Sequence, residues 1–159
     1  MQNPANLLPG TKDDDWRLDP LLNPERRSAV FMQELGYTVI PTSHFDARTK
    51  RTHDIFGCGD LLCMQDGFGV LIQATTYDNH KARVNKINTL IAHDRPICEW
   101  MKIGMCWVMS WPGSKSGVKT FVPRLEAMYL PGTAREKELV PDSVRRLTLV
   151  KVSSINTNS

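Results

Sequence analysis

A pair of short apolar segments around a glycine-containing turn constrains the fold of this chain most. The segments "DLLCM" (60–64) and "VLIQATT" (70–76) have the length and composition of β-strands, and "QDGFG" between them has two glycines suited to a tight turn. We therefore predict a β-hairpin. Side chains alternate along a strand, so Gln73 and Thr75 project to one face, beside the strand that begins at Asp60.

A helix and a strand are predicted before the hairpin. Asn23 suits the helix N-cap, Pro24 the first helical position and Gly36 the C-terminal end. The apolar face of "SAVFMQEL" supports this helix, and "YTVIP" after it is typical of a short strand. Residues 42–56 have no apolar pattern, and we interpret them as a polar loop.

Further helices and strands are predicted after the hairpin. Asp78 or Asn79 can cap a second helix, in which Ile87 and Ile91 lie on an apolar stripe. The other predicted elements are a third helix in "PICEWMKIG" and strands in "MCWVMSW" (105–111), "KTFVPRLEAMYL" (119–130) and "RLTLVKV" (146–152). This order predicts an α/β fold with a mixed central β-sheet flanked by helices.

The length of 159 residues allows one domain with a substantial core. We predict an irregular N-terminal arm in residues 1–22, a core domain in residues 23–130 and a partly disordered C-terminal extension in residues 131–159. The arm is rich in proline and acidic residues and has no hydrophobic period, which argues against a regular element there.

Composition indicates a soluble globular protein, with 41% hydrophobic and 23% charged residues. No apolar run has the length needed to cross a bilayer, and the N-terminus has no signal-peptide core, so we expect a cytoplasmic protein without a membrane partner. The four cysteines have no zinc-type spacing and are expected to be free and mostly buried.

Three basic islands, in residues 25–27, 48–53 and 80–86, surround the hairpin, although the net charge of the whole chain is only +3. Lysine and arginine supply most of the non-specific affinity of proteins for nucleic acid, so three islands near one acidic position favour contact with DNA phosphates. The predicted nucleic-acid contacts are Arg26, Arg27, Arg48, Lys50, Arg51, His80, Arg83 and Lys86.

Asp60, Gln73 and Thr75 are the residues of the hairpin that could carry chemistry. An acid at the head of an apolar strand is not a core-building choice, and it brings a carboxylate close to a side-chain carbonyl and a hydroxyl. Hard oxygen ligands of this kind suit Mg²⁺, with Mn²⁺ as a substitute. Asp54, six residues earlier, is a competing candidate for the metal-binding aspartate.

The span from Glu25 to Trp111 resembles the PD-(D/E)XK nuclease superfamily, and within it the archaeal-type Holliday junction resolvases and related phage proteins. The resemblance depends on "ERRSAVFMQELGYTVI", "RTHDIFGCGDLL", "VLIQATT" and "HKARVNKI", which match the family in order. It implies a restriction-endonuclease-like core and a metal-dependent DNA endonuclease. It also implies branched or double-stranded DNA as the substrate and a homodimer, because two strands of a junction must be cut.

The resemblance also assigns roles to individual residues. Glu25 corresponds to the glutamate of the first helix, and Asp60 to the central metal-binding aspartate. Gln73 stands where the family has its second acid, so a metal site of Asp60, Gln73 and Glu25 would have lost one charge. Thr75 stands where the family has its catalytic lysine.

The missing lysine leaves two interpretations open. A cation from the following helix can replace it, and Lys81 is the nearest in sequence, ahead of Arg83 and Lys86. The chain would then be a Mg²⁺-dependent endonuclease with a borrowed cation. The alternative is a nuclease-fold protein that has lost catalysis and binds DNA or a protein partner without cleaving.

Overall fold

The computed structural model of the protein describes residues 23–93, 95–113, 122–132 and 140–155. Its helices are α1 (Pro24–Glu34), α2 (His80–His93), α3 (Arg95–Ile103) and α4 (Asp142–Arg145), and Tyr77–Asn79 forms a 3₁₀ turn before α2. Its strands are β1 (Thr38–Pro41), β2 (His44–Asp46), β3 (Arg51–His53), β4 (Leu61–Gln65), β5 (Phe68–Thr76), β6 (Met105–Trp111), β7 (Arg124–Tyr129) and β8 (Leu149–Ser154).

Helix α1 has the ends that the sequence predicts. The side chain of Asn23 accepts a hydrogen bond of 2.9 Å from the backbone N–H of Arg26, and Pro24 occupies the first helical position. Beyond the last turn, Gly36 has a φ of +92°, a left-handed conformation that glycine adopts without a steric penalty. The cap and the terminal glycine therefore fix where the chain turns into β1.

Six strands form the central sheet, in the order β1-β4-β5-β6-β7-β8. The predicted hairpin of β4 and β5 is antiparallel, and β1 pairs antiparallel with β4. Strand β6 pairs parallel with β5, so the chain crosses over between them through α2 and α3. The predicted α/β fold with a mixed sheet flanked by helices is confirmed.

The two faces of the sheet bury separate hydrophobic clusters. Helix α1 packs on one face, where Ile72 and Trp107 are fully buried. Helices α2 and α3 cover the other face, where Ile87 of α2 belongs to the same buried cluster as Leu71 of β5 and Val108 of β6. Alternation along β5 places Gln73 and Thr75 on the face of α2 and α3, because both lie an even number of residues from Leu71.

Residues 42–56, predicted to be a loop, contain the two-stranded hairpin of β2 and β3. The loop prediction was wrong there because this hairpin lies outside the main sheet and needs no alternation of apolar and polar residues. Its turn is stabilised by Asp46, whose carboxylate accepts a hydrogen bond of 2.9 Å from the backbone N–H of Arg48. Lys50 follows with a φ of +56°.

The C-terminal region adds to the same sheet. Strand β8 pairs parallel with β7, in agreement with the strand predicted near "RLTLVKV". Ser153 and Ser154, from the extension predicted to be partly disordered, also belong to this strand. The short helix α4 was not predicted. The predicted N-terminal arm and residues 156–159 lie outside the described residues.

Two further expectations concern cysteines and membranes. All four cysteines are free, and Cys58, Cys63 and Cys106 are buried as predicted. Among the described residues, no helix combines the length and apolar character required to span a membrane.

Candidate functional site

A tight turn before β4 positions Asp60. The backbone N–H of Gly57 donates to the carbonyl of Asp54, and the N–H of Gly59 donates to the carbonyl of Ile55. A β-carbon on Gly59 would lie only 2.5 Å from the side chain of Leu71, so only glycine fits there. The backbone N–H of Asp60 then donates to the Ile72 carbonyl at 2.9 Å, which ties the residue to β5.

The carboxylate of Asp60 is buried against β5. Its Oδ2 atom accepts a hydrogen bond of 2.6 Å from Nε2 of Gln73 and one of 2.9 Å from the backbone N–H of Ala74. Asp60 is 8% exposed and Gln73 is 4% exposed. The other side-chain atom of Gln73, Oε1, is buried and has no hydrogen-bond partner among the described residues. A carbonyl oxygen that can accept but does not is thus held beside a carboxylate.

The surroundings of Asp60 favour its protonated form. The pKa of Asp60 is raised from 3.8 to about 7, mainly because the carboxyl group is buried and also because the nearby carboxylates of Asp54 and Glu25 oppose its charge. The hydrogen bond from Ala74 and the positive charge of Arg83 oppose this rise in pKa. The carboxyl group therefore loses its proton near neutral pH, and a cation placed beside it would favour the ionised form.

A second carboxylate near Asp60 is that of Glu25, in the first turn of α1. The hydroxyl of Ser43 donates to its Oε1 atom at 3.3 Å. Burial raises the pKa of Glu25, the bond from Ser43 lowers it, and the charge of Asp54 raises it. Asp54 also lies 4.0 Å from the ammonium nitrogen of Lys86. The carboxyl groups of Glu25, Asp54 and Asp60 thus form an acidic cluster, in which each affects the charge of another. Cations of α2 lie beside this cluster.

Thr75 belongs to a row of buried and partly buried polar side chains that crosses the sheet. It is buried and lies opposite Ser110 in the pairing of β5 with β6. Nδ1 of His80 lies 2.7 Å from Oγ of Ser110, and Nε2 of His80 lies 3.1 Å from Oε1 of Glu126. The hydroxyl of Ser153 donates to Oε2 of Glu126 at 2.7 Å. The polar row therefore runs from Asp60 through Gln73, Thr75, Ser110, His80 and Glu126 to Ser153.

Lys81, Arg83 and Lys86, the candidates to replace the catalytic lysine of the resembled family, differ in their position relative to Asp60. Among the described residues, no hydrogen bond or ion pair joins Lys81 to Asp60 or Gln73, and Lys81 lines a groove together with Glu126. Arg83 is the cation of α2 that acts on the Asp60 carboxylate. Of the three candidates, Arg83 and Lys86 are the ones close to the acidic cluster.

The residues predicted to contact nucleic acid also separate into groups. Arg26, Arg48, Lys50 and Arg51 are exposed, and Arg83 and Lys86 are partly exposed. Arg27 is only 4% exposed and donates from Nη1 to the Pro112 carbonyl at 3.2 Å, so it anchors α1 to the end of β6 instead of facing solvent. His80 is held between Ser110 and Glu126 within the polar row.

Sequence reasoning did not identify Ser110, Glu126 and Ser153. Glu126 had the same signal as Asp60, an acid within an apolar segment, here "RLEAMYL". Attention to every acid inside a predicted strand would have selected it. Ser110 and Ser153 have no local signal, since each matters only through a partner far away in sequence.

A divalent metal can be tested against this arrangement. Among the described residues, no group of three or more His, Cys, Asp or Glu side chains is placed to hold a metal ion. The oxygen set is instead a buried carboxylate and an amide oxygen without a donor, with the Glu25 carboxylate nearby. Oxygen donors of this hardness fit Mg²⁺ or Mn²⁺, and the low number of charges predicts weak binding.

Comparisons with known proteins do not assign the chain to a class. No protein-family model matches it, and no significant match was found among curated proteins or among solved structures. The function must therefore be argued from the residues themselves.

Proposed function

We propose that the protein is a metal-dependent DNA endonuclease, resolvase-like, with a restriction-endonuclease-like core. The order of α1, β1, β4, β5, α2 and β6 supports the proposal, since it puts the first-helix acid, the aspartate and the Gln-x-Thr strand in the sequence of the resembled family. The cytoplasm is the proposed location. A two-fold homodimer acting on branched or double-stranded DNA is part of the proposal.

The contact between Asp60 and Gln73 is the observation that carries the proposal. It joins the two residues that the resemblance assigns to the metal, across adjacent strands, at 2.6 Å. The buried Oε1 atom of Gln73 lacks a donor among the described residues, which is a costly arrangement unless a cation or a water contacts it. Mutual repulsion between Asp60, Asp54 and Glu25 would also be relieved by a cation.

Each residue of the cluster then has a defined role. Asp60, Gln73 and Glu25 would hold Mg²⁺, which when bound supplies an activated water and a positive charge beside the phosphate. The Gln73 amide and the Ala74 N–H fix the orientation of the Asp60 carboxylate. Arg83, whose charge acts on Asp60, would meet the negative charge of the DNA phosphate.

A second candidate function is DNA binding without cleavage. The specific observation in its favour is β5, "FGVLIQATT", which contains no lysine or arginine, while Thr75 is buried where the resembled family has its lysine. A buried hydroxyl does not stabilise developing phosphate charge as an ammonium does. The exposed cations Arg26, Arg48, Lys50 and Arg51 would still contact DNA.

A cleavage assay separates the two candidates. Labelled four-way junction and linear duplex DNA are incubated with the protein in Mg²⁺, in Mn²⁺ and in EDTA. We expect cleavage in either metal, none in EDTA, and a rate at least about a hundredfold lower in Asp60→Asn, because the metal loses its one buried anionic ligand. Binding to DNA without cleavage in both metals would favour the second candidate.

The matched control for this assay is Asp66→Asn. Asp66 is an exposed aspartate in the turn of the same hairpin, with a φ of +49° that asparagine accepts readily. The control makes the same change of charge without touching the cluster, so its cleavage rate should equal the wild-type rate. Cleavage that persists in Asp60→Asn would remove Asp60 from the proposed site.

A further inference from the structure

A groove on the opposite side of α2 from the acidic cluster is not used by the proposed metal site. It lies between the first turns of α2 and the strands β7 and β8, and its volume is about 810 Å³. Ligand sites in proteins have volumes of roughly 300–1,000 Å³. The groove exists because β8 extends the sheet beyond the part that α2 covers.

Positive charge dominates the groove. Lys81, Arg124 and Lys151 line it and are exposed, and none of them forms an ion pair with another described residue. The one acid in the lining is Glu126, and both of its oxygens are already engaged, by His80 and by Ser153. The three cations are therefore available to an anionic ligand.

Apolar and planar surfaces accompany these charges. Val84, Leu149 and Val150 contribute aliphatic lining, and Leu149 is 57% exposed. The Arg124 guanidinium carbon lies 4.1 Å from the centroid of the Tyr77 ring, so the guanidinium group is supported by an aromatic side chain. Proteins bind unpaired nucleotides with this combination, because the cations contact the phosphates and the flat bases pack on the neighbouring surfaces.

Helix α2 connects the groove to the acidic cluster. Lys81 and Asn85 line the groove, whereas Arg83 acts on the Asp60 carboxylate and Lys86 lies 4.0 Å from Asp54. One nucleic-acid strand that crosses the first two turns of α2 would therefore meet both regions. We propose that the groove binds an unpaired, single-stranded segment of DNA next to the Asp60 site.

This inference rests on the proposed function and narrows its substrate class. The substrate would be DNA in which a single-stranded segment adjoins the duplex at the position of cleavage. Phosphates would contact Lys81, Arg124 and Lys151, and the bases would pack on Leu149 and on the guanidinium group of Arg124.

The test is direct binding in EDTA, where cleavage cannot occur. A fluorescein-labelled oligothymidylate of about 10 nucleotides is titrated with wild type and with the double variant Lys81→Gln/Lys151→Gln, and anisotropy is recorded. We expect the double variant to bind about tenfold more weakly. The slope of log affinity against log salt concentration should also fall by about 1.4, since two phosphate contacts are lost from a single strand.

Two comparisons make the binding result specific. Lys102→Gln removes an exposed lysine of α3 that pairs with Glu99 at 2.7 Å and lies outside the groove, so it should bind the oligothymidylate like wild type. Thymidine monophosphate should compete poorly at equal nucleotide concentration. A double variant that binds as tightly as Lys102→Gln, or a mononucleotide that competes as well as the oligomer, would overturn the proposal.

A second measurement separates this proposal from the proposed function. Wild type should prefer a duplex with a single-stranded overhang to a blunt duplex, the double variant should lose that preference, and Asp60→Asn should keep it. If Asp60→Asn keeps the preference while wild type never cleaves, the nuclease assignment fails and the groove assignment stands. If wild type cleaves and has no preference for the overhang, the groove assignment fails alone.

Discussion

Two buried carboxylates on the same face of the sheet differ in how completely they are satisfied. Glu126 is 7% exposed, and each of its oxygens has a donor, Nε2 of His80 on one and the Ser153 hydroxyl on the other. Asp60 is 8% exposed, but the two hydrogen bonds that its carboxyl group accepts from described residues both go to Oδ2, and two further acids lie close enough to oppose its charge.

The difference shows that two buried carboxyl groups in one sheet can have very different electrostatic surroundings. A buried acid with a full set of donors stabilises the elements around it, here α2, β7 and β8. A buried acid with fewer donors and like charges nearby has an unfavourable ionised form, and binding of a proton or a cation would remove this electrostatic cost. Glu126 belongs to the first kind and Asp60 to the second.

Isosteric amide substitutions should separate the two acids most strongly. We expect Glu126→Gln to lower the free energy of unfolding by about 3 kcal/mol, because His80 and Ser153 lose a buried anionic acceptor. Asp60→Asn at about pH 8 should cost nothing or stabilise, because it removes a poorly compensated buried charge. Urea unfolding followed by circular dichroism measures both. Equal losses in the two variants would contradict the comparison.

The stability of the protein should depend on pH through Asp60. The pKa of Asp60 is raised from 3.8 to about 7, so between these values the unfolded chain has an ionised Asp60 and the folded protein retains the proton. The folded state then binds more protons, and stability falls as pH rises from about 4 to about 7. The shift corresponds to at most about 4 kcal/mol, and we expect about 2 kcal/mol once solvent screening is considered.

The difference between wild type and Asp60→Asn isolates this effect from Glu25, whose raised pKa acts in the same direction. Unfolding free energies of both proteins are measured by urea titration at several pH values from about 4 to about 8. The variant should be the less pH-dependent of the two. Parallel pH profiles would show that Asp60 titrates normally in the folded protein.

The Asp60 side of this comparison could be predicted from the sequence because its signals are local. The acid stands at the head of an apolar strand, and alternation over three residues places Gln73 and Thr75 on one face. The β4–β5 hairpin follows from a two-glycine turn. The N-cap and glycine signals of α1 are likewise within a few residues of the ends that they define.

The Glu126 side could not be predicted because its contacts join distant parts of the chain. His80 and Ser153 lie 46 and 27 residues from Glu126. The start of α2 beside β6 and β7 brings His80 to Glu126, and the pairing of β7 with β8 brings Ser153. The hairpin of β2 and β3 was missed for a related reason, since no alternating pattern marks strands outside the core. The burial of Arg27 depends on the Pro112 carbonyl, 85 residues away.

Mg²⁺ should raise the free energy of unfolding by binding at the Asp60 end of the polar row, without involving Glu126 at the other end. At ten times the dissociation constant, binding adds about 1.4 kcal/mol to the free energy of unfolding. The effect should be larger at about pH 8 than at about pH 6, because the ion requires the ionised form of a carboxyl group whose pKa is about 7. Thermal unfolding in Mg²⁺ and in EDTA measures it.

The controls for Mg²⁺ again use the two ends of the polar row. Asp60→Asn should abolish the stabilisation, while Glu126→Gln, although less stable, should retain it. A similar Mg²⁺ effect in wild type and in Asp60→Asn would indicate binding elsewhere on the protein and would contradict the proposed metal site.

The smallest expected effect concerns the donor from β8. Ser153→Ala removes one of the two donors of Glu126 and should lower the free energy of unfolding by about 1 kcal/mol, a usual value for one hydrogen bond. Ser154→Ala changes an exposed serine in the same strand and should have no measurable effect. Urea unfolding of both variants tests whether Glu126 depends on its full set of donors. If Ser153→Ala is as stable as Ser154→Ala, His80 alone satisfies Glu126, and the contrast with Asp60 lies in the neighbouring acids and not in the number of donors.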